Sequence, residues 1–285
     1  MNPNPQTESF RGQELEVAAQ ACIDLLKRIL TRFIGQEEFA EIFYHKRSWQ
    51  EKVFAPIKAV LNTKGYVMCK RVPFDPAART VGIDWPPGAE TMVGLRRLDN
   101  IEHCVKSVIA DGVPGDLVET GVWRGGSCIL MRAILKAYGV SDRIVWLADS
   151  FEGLPTSTHA DDLHWNFERY RELAVSMEQV QDNFKKYGLL DDQVKFLKGW
   201  FKDSLPTAPI ERIAVLRLDG DLYESTWDAI TALYPKLSIG GYILIDDYGS
   251  IDSCAKAITD FRKQHGIVEL IHKVDQSGVF WRRES

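Results

Sequence analysis

The sequence predicts an α/β fold in which a mostly parallel seven-stranded sheet carries helices on both faces and follows an N-terminal helical extension. Three observations support this prediction. From Leu117 onward, short apolar runs alternate with helical patterns, as βαβ units require. A glycine-rich turn joins the first of these runs to a helix. The stretch LEVAAQACIDLLKRILTRFIG, which begins at Leu15, places apolar residues at helical spacing well before the first strand.

The composition is that of a globular protein with a sizeable core. Of the 285 residues, 45% are hydrophobic and 26% are charged, and the formal net charge is −5. No apolar run approaches the roughly 20 residues of a membrane span, and the dispersed basic residues form no patch for nucleic acid. The five cysteines lie far apart, which fits neither a disulfide framework nor a zinc site. The polar start resembles no targeting segment, so we expect a cytoplasmic location.

Three regions are expected along the chain. Residues 1–15 are predicted to be a disordered lead, residues 16–90 a helical cap with an ordered loop, and residues 91–285 the α/β domain. The helical region is expected either to pack or dimerise, or to cover an active site.

The elements that precede the first predicted strand follow from helical spacing and from proline. Asp75-Pro76 and Trp85-Pro86-Pro87-Gly88 are taken to exclude regular structure, so this stretch is predicted to be a long ordered loop. Beyond the helix from Leu15, further helices are expected over residues 37–46, 53–62 and 98–109.

In the α/β domain, strands and helices alternate, and a closing hairpin is expected to add an antiparallel strand. The predicted strands are the run from Leu117 to Gly121 and residues 143–150, 194–199, 212–220, 240–247, 268–274 and 278–283. The predicted helices begin near Ser127 and cover residues 176–187, 226–237 and 253–266.

The stretch GDLVETGVWRGGSCILMRAI predicts a ligand-binding turn between a strand and a helix. Gly121, Gly125 and Gly126 remove side chains where the backbone must approach a ligand, and the helix start near Ser127 offers free N–H groups. The spacing G-x-x-x-G-G matches the dinucleotide fingerprint poorly. Glu119 suits a ligand with a cationic amine or ribose hydroxyls better than a pyrophosphate. These features favour S-adenosylmethionine.

Two further positions are expected to contact an adenosine. Asp149 ends the second strand, where an acidic side chain takes ribose hydroxyls, although it could instead cap a helix. Trp200 follows Gly199 at the end of the third strand and could stack on adenine or belong to the core.

Four aspartates end the fourth and fifth strands, namely Asp219, Asp221, Asp246 and Asp247. Like charges at neighbouring strand ends repel unless a cation lies between them, and all-oxygen ligands select Mg²⁺. Some of them could instead cap the following helices. Given a metal, an acceptor hydroxyl would be acidified. Asp219 or Asp221 would then take its proton, with His159, His164 and His272 as reserves.

These motifs resemble the macrocin O-methyltransferase family, whose metal-dependent members methylate sugar hydroxyls on antibiotics such as macrolides and aminocoumarins. The resemblance runs from Phe74 to Gly249. The matching stretches are FDPAARTVGIDWPPGAETMVGLRRLDN, DLVETGVWRGGS, ADSFEGLP, VKFLKGWFKDSLP, LRLDGDLYEST and GGYILIDDYG.

The resemblance implies a Rossmann-like class I methyltransferase fold, S-adenosylmethionine as donor and a homodimer whose N-terminal helices help shape the acceptor site. It implies Mg²⁺ held by Asp219, Asp246 and Asp247, with Asp221 beside them. The implied cofactor contacts are Thr91, Met92, Glu119, Thr120, Gly121, Arg124, Gly125, Ser127, Asp149, Ser150, Phe151, Gly153, Leu154, Gly199 and Trp200.

The predicted function is therefore Mg²⁺-dependent O-methylation of a small natural product, with a sugar hydroxyl of an antibiotic-like glycoside preferred over a polyketide or phenolic hydroxyl. Three alternatives stay open. Asp219-Gly220-Asp221 is also the Asp-x-Asp pattern of metal-dependent glycosyltransferases, although only the basic residue Arg124 lies near the glycine loop. A nicotinamide-dependent oxidoreductase would share the fold, and a non-catalytic subunit could use the aspartates as caps.

Overall fold

The central sheet has the predicted seven strands. The computed structural model describes residues 5–36, 39–41, 49–71, 73–84, 86, 88–165 and 170–285. The strands of the sheet are β3 (Asp116–Thr120), β4 (Val145–Asp149), β5 (Val194–Lys198), β6 (Ile213–Leu218), β7 (Leu237–Ile245), β8 (His272–Lys273) and β9 (Val279–Arg282). Their order is β5-β4-β3-β6-β7-β9-β8. All pairs from β5 to β7 are parallel, and β9 runs antiparallel to both of its neighbours.

Helices cover both faces of this sheet, as predicted. They are α1 (Pro5–Leu30), α2 (Trp49–Thr63), α3 (Pro76–Val81), α4 (Leu95–Ala110), α5 (Gly126–Ala137), α6 (Met177–Lys186), α7 (Phe201–Ser204), α8 (Tyr223–Leu233) and α9 (Asp252–His265). Strand residues alternate between two cores because successive side chains point to opposite faces. Leu117 packs with α1, α4, α5 and α6, whereas Val118 packs with α8 and α9.

A buried amine helps to hold the helix α1 against α4. Lys27 Nζ donates to Asp99 Oδ1 and to Glu102 Oε2, both at 2.6 Å, and only 6% of Lys27 is exposed. The helix begins at Pro5, earlier than the predicted start at Leu15. The residues added have no apolar stripe, but they include the good helix formers Gln, Glu and Arg after a proline in the first turn.

Two local predictions are wrong. Residues 39–41 form the strand β1 (Phe39–Glu41) within the predicted helix 37–46, since they pair antiparallel with β2 (Cys69–Arg71); the other residues of that range lie outside the described residues. Asp75-Pro76 does not exclude regular structure. Asp75 caps α3 by accepting from Ala77 N and Ala78 N, and Pro76 takes the first helical position, where a missing N–H costs nothing.

The later helices follow the predictions closely. Ser176 caps α6, and its Oγ accepts from Gln179 N. The helix α8 begins at Tyr223, three residues before the predicted Thr226. These connections bring the carboxyl ends of β3, β6 and β7 side by side at one edge of the sheet, in the register Glu119, Arg217 and Leu244.

Candidate active site

Carboxylates gather at this edge of the sheet. Asp219, Asp221 and Asp247 each present an oxygen such that the three oxygens lie within 4.8 Å of one another. Asp221 follows a glycine and has a φ of 56°, a left-handed conformation that is uncommon for residues with a side chain. We refer to these three residues as the acidic cluster.

The cation missed in the sequence is Arg217, near the carboxyl end of β6. Its guanidinium is buried, with 2% of the residue exposed. It donates to Asp219 Oδ2 at 2.8 Å and also to Glu119 and to Asp246. A charged residue in a strand of otherwise apolar side chains was the signal that could have revealed it.

Arg97 extends this network from α4. Its Nη1 donates to Asp246, and its Nε donates to Asp275 Oδ2 at 3.1 Å. Each oxygen of Asp246 therefore accepts from a different arginine. Burial alone would raise the pKa of Asp246. The guanidinium groups of Arg217 and Arg97 nevertheless hold that pKa below its ordinary value.

The pKa values of the acidic cluster shift the other way. Burial, together with the charges of Asp219 and Asp246, raises the pKa of Asp221 to about 8. Burial and neighbouring carboxylates also raise the pKa of Asp219, and they raise that of Asp247 well above its usual range. Among the residues that the structure describes, the buried Oδ2 of Asp247 has no hydrogen-bond partner. Without a bound cation, the cluster would hold protons at neutral pH.

Glu119 lies behind the cluster on β3, and 2% of it is exposed. It accepts from Arg217 and, at 2.6 Å, from the Sγ of Cys128. Burial raises the pKa of Glu119 to about 7, against the attraction of Arg217.

The glycine turn is required by contacts within the protein as well as by space for a ligand. Gly121 has a φ of 81°, and a Cβ built there would lie 1.8 Å from the carbonyl oxygen of Asp219. Asp149 holds the same turn, because its Oδ2 accepts from Val122 N at 2.8 Å and its Oδ1 accepts from Phe151 N at 2.7 Å. The backbone that follows β3 at Gly121 therefore packs directly against the backbone that follows β6 at Asp219.

Two cavities meet at the acidic cluster. The smaller, of about 340 Å³, contains ten predicted residues: Met92, Gly121, Asp149, Ser150, Gly153, Leu154, Gly199, Trp200, Asp219 and Asp221. The larger, of about 670 Å³, contains eight: Thr91, Met92, Glu119, Ser127, Asp219, Asp221, Asp246 and Asp247. Asp219 and Asp221 thus line both cavities, together with Met92, Trp123 and Leu173.

Four of the predicted cofactor contacts, Thr120, Arg124, Gly125 and Phe151, line neither cavity. Thr120 and Phe151 are buried. Arg124 donates its Nη1 to the carbonyl of Ala89. In this structure, these residues support the walls rather than form them.

The three reserve histidines also line neither cavity. The ring of His159 stacks on that of Tyr223 with 4.0 Å between centroids, and His164 Nε2 lies 3.2 Å from Asp252 Oδ1. His272 is exposed on the edge strand β8. The structure therefore offers them no contact with the acidic cluster.

The fold and this site can be compared with known proteins. A sequence model of the Macrocin-O-methyltransferase (TylF) family matches residues 19–283, nearly the whole chain. The chain belongs to the macrocin O-methyltransferase family.

Named relatives of this family are similar over most of their length. The chain is 51% identical to the 8-demethyl-8-(2,3-dimethoxy-alpha-L-rhamnosyl)-tetracenomycin-C 4'-O-methyltransferase of Streptomyces olivaceus, over 94% of each chain. It is 54% identical to the mycinamicin III 3''-O-methyltransferase of Micromonospora griseorubida, over 92% of this chain and 96% of that one. The solved structure of the O-methyltransferase NovP shares 44% identity and a TM-score of 0.80, over 94% of this chain and 100% of that chain.

Membership of the macrocin O-methyltransferase family decides between the predicted enzyme classes. The chain is an S-adenosylmethionine-dependent O-methyltransferase with the class I methyltransferase fold. The glycosyltransferase, oxidoreductase and non-catalytic alternatives are wrong. Among the helices that the structure describes, none is long and apolar enough to cross a membrane.

Proposed function

We propose that this enzyme methylates a sugar hydroxyl of an antibiotic-like glycoside and that Mg²⁺ is required. The observation that carries the proposal is the position of Asp219 and Asp221 where the two cavities meet. A transferred methyl group must pass between donor and acceptor, so the reacting atoms belong at such a junction.

The cofactor fits along residues of both cavities. The adenosine would be held in the smaller cavity by Asp149, Leu154, Gly199 and Trp200. When bound, S-adenosylmethionine supplies the electrophilic methyl group. The remaining space of the larger cavity, towards Gln276, is left for the acceptor.

The acidic cluster fits a hard divalent cation. Its three oxygens lie close together, Asp247 Oδ2 is buried with no partner in the described part of the chain, and carboxylate oxygens are the ligands that Mg²⁺ prefers. When bound, Mg²⁺ would lower the pKa of an acceptor hydroxyl. Asp219 and Asp247 belong both to the set implied by the resemblance and to the cluster. The third ligand is either Asp246, whose oxygens accept from arginines here, or Asp221.

Asp221 is the residue that we propose as general base. It lines both cavities where they meet, and a cation bound at the cluster would lower its pKa from about 8, so that its carboxylate is ionised near neutral pH. In its ionised form, its carboxylate takes the proton of the acceptor hydroxyl. Arg217 and Arg97 hold Asp246 in place and keep it ionised.

The acceptor class is supported by the names of the relatives and by the size of the larger cavity. The Streptomyces olivaceus relative is named for a rhamnosyl-bearing tetracenomycin, and the Micromonospora griseorubida relative for mycinamicin III. A volume of about 670 Å³ falls within the range of pockets for drug-sized ligands. We therefore prefer a sugar of a glycoside to a small phenol.

The test is a methylation assay on a panel of glycosides and their aglycones, with excess Mg²⁺ or with EDTA. We expect a gain of one methyl group on the sugar, seen by mass spectrometry, in Mg²⁺ only. The variants Asp221→Asn and Asp246→Asn are then titrated with Mg²⁺, and the one that loses affinity carries the third ligand. Full turnover in EDTA, or methylation of aglycones alone, would refute the proposal.

We also propose a homodimer formed through the N-terminal helices. Both α1 and α2 present exposed apolar side chains, and contiguous exposed apolar surface is typical of interfaces. Sedimentation should show a dimer that Ile57→Lys dissociates, whereas Val268→Lys, at a residue 88% exposed elsewhere, leaves it intact. A wild-type monomer would refute this proposal. The exposed apolar side chains are Leu15, Val17 and Leu25 on α1, and Val53, Ile57 and Val60 on α2.

A further inference from the structure

The helix α8 is capped by a residue from another segment. Its own N-cap position, Leu222, has no side chain that can accept a hydrogen bond. Instead, the carboxylate of Asp162 accepts from Tyr223 N at 2.7 Å and from Glu224 N at 3.2 Å. A carboxylate suits this place because the first N–H groups of a helix are unpaired and carry partial positive charge.

Asp162 is a built-in part of the structure rather than a surface contact. Only 2% of the residue is exposed, and Ser157 Oγ donates to its Oδ2 at 2.6 Å. Ser157 also lies 3.0 Å from Glu224 Oε2, and Thr158 N lies 3.4 Å from the same oxygen. These bonds fix residues 157–162 against the first turn of α8.

That first turn continues directly from the acidic cluster. Asp221 precedes Leu222 and has a left-handed φ of 56°. Such a conformation persists only where its surroundings hold it. The surroundings on the carboxyl side are the turn that Asp162 caps, so the position of the Asp221 carboxylate depends on the cap.

The residues that directly precede this segment line the smaller cavity. They are Leu154, Pro155 and Thr156, and Glu224 of α8 lines the same cavity. The hydrogen bonds of Ser157 and Asp162 join the segment after Thr156 to the first turn of α8. Loss of the cap would therefore loosen both the cavity wall and the loop that carries Asp221.

We infer that Asp162 is a positioning residue, which sets the wall of the cofactor cavity and the conformation of Asp221 without touching either substrate. The inference rests on our proposal that the smaller cavity holds the adenosine. It assigns a role in the reaction to a residue outside both cavities.

The test measures binding of S-adenosylhomocysteine by calorimetry and stopped-flow dissociation. We expect Asp162→Ala to weaken binding at least tenfold, mainly through faster dissociation. The affinity of Asp162→Asn should lie between those of Asp162→Ala and wild type, since an asparagine also caps helices but has one carbonyl oxygen for three donors. Hydrogen exchange at the amides of Tyr223 and Glu224 should rise in the same order.

The matched control is Ser176→Ala, which removes the cap of α6 at a residue that lines neither cavity. It should lower the melting temperature by a similar amount and leave binding within twofold of wild type. Asp162 would be only structural if Asp162→Ala bound normally, or if affinity fell equally in Ser176→Ala. Should Asp162→Ala fail to fold, Asp162→Asn and Ser157→Ala carry the same test.

A separate variant tests whether the smaller cavity holds the adenosine. Trp200→Ala removes a side chain of the smaller cavity that takes no part in the cap. If this variant bound S-adenosylhomocysteine as tightly as wild type, the assignment itself would be wrong, whatever Asp162→Ala does.

Discussion

Replacement of Arg217 by methionine should destabilise the protein strongly, because the guanidinium is the buried counter-charge of three carboxylates. Glu119 and Asp246 are 2% and 7% exposed, and Asp219 accepts at 2.8 Å. Removing one partner of a buried ion pair costs about 3–5 kcal/mol. For a domain of this size, that loss lowers the melting temperature by about 6–20 °C.

The assay is thermal and urea unfolding in EDTA, with Arg132→Met as control. Arg132 is equally buried, at 5% exposed, and it donates to Asp191 at 2.9 and 2.6 Å. Asp191 has 39% of its side chain exposed, so water can solvate the carboxylate left behind, and the control should lose only about 1 kcal/mol.

The loss of stability in Arg217→Met relative to wild type should also be smaller at acid pH, because the buried carboxylates then take up protons and no longer repel one another. Adding Glu119→Gln removes one of the three charges and should restore part of the lost stability. A melting temperature for Arg217→Met no lower than that of Arg132→Met would refute the argument. So would a deficit that is the same at pH 5.5 and pH 8.

Three further predictions follow from the same site. Gly121→Ala should abolish binding of S-adenosylhomocysteine in calorimetry, since its Cβ would lie 1.8 Å from Asp219 O, whereas Gly139→Ala, with nothing within 4 Å, should keep normal affinity. In EDTA, urea unfolding should show that the free energy of unfolding falls between pH 5 and pH 8. The raised pKa values of Glu119 (about 7) and Asp221 (about 8) let the native state bind more protons than the unfolded chain. Each group contributes at most about 1.4 kcal/mol per pH unit, and a rise in stability over this range would contradict the pKa shifts. The increase in melting temperature on adding Mg²⁺ should be larger at pH 8 than at pH 6, since the ion replaces those protons, and an equal increase would argue against cation binding at the cluster.

The acidic edge could be predicted from the sequence because it follows from the topology of the strands. Parallel strands place their carboxyl ends together, so an aspartate after each of two strands predicts proximity without any knowledge of the side chains. The alternation of apolar runs with helical patterns likewise predicted the sheet. These inferences depend on periodicity, which survives in any packing arrangement.

Arg217 could not be found in that way, although the sequence contains the signal. It lies two residues before Asp219, so their side chains share one face of β6, and its register partner on β3 is Glu119. Repulsion between the carboxylates predicts a cation between them, and the prediction from the sequence considered only a metal ion. The pairing register, which is set by contacts between distant strands, was needed to place the arginine there. The strand β1 was missed for the same reason, because its partner β2 lies far along the chain.

The two arginines and the cation sought at the acidic cluster have different tasks. Arg217 and Arg97 neutralise Asp246 and fix its position. No guanidinium of the described residues donates to Asp221 or Asp247, and both keep raised pKa values. With a pKa of about 8, Asp221 is mostly protonated at neutral pH and cannot accept a proton from a hydroxyl. A divalent cation beside it would stabilise its ionised form. A metal requirement would then be, in part, a requirement for the ionised base.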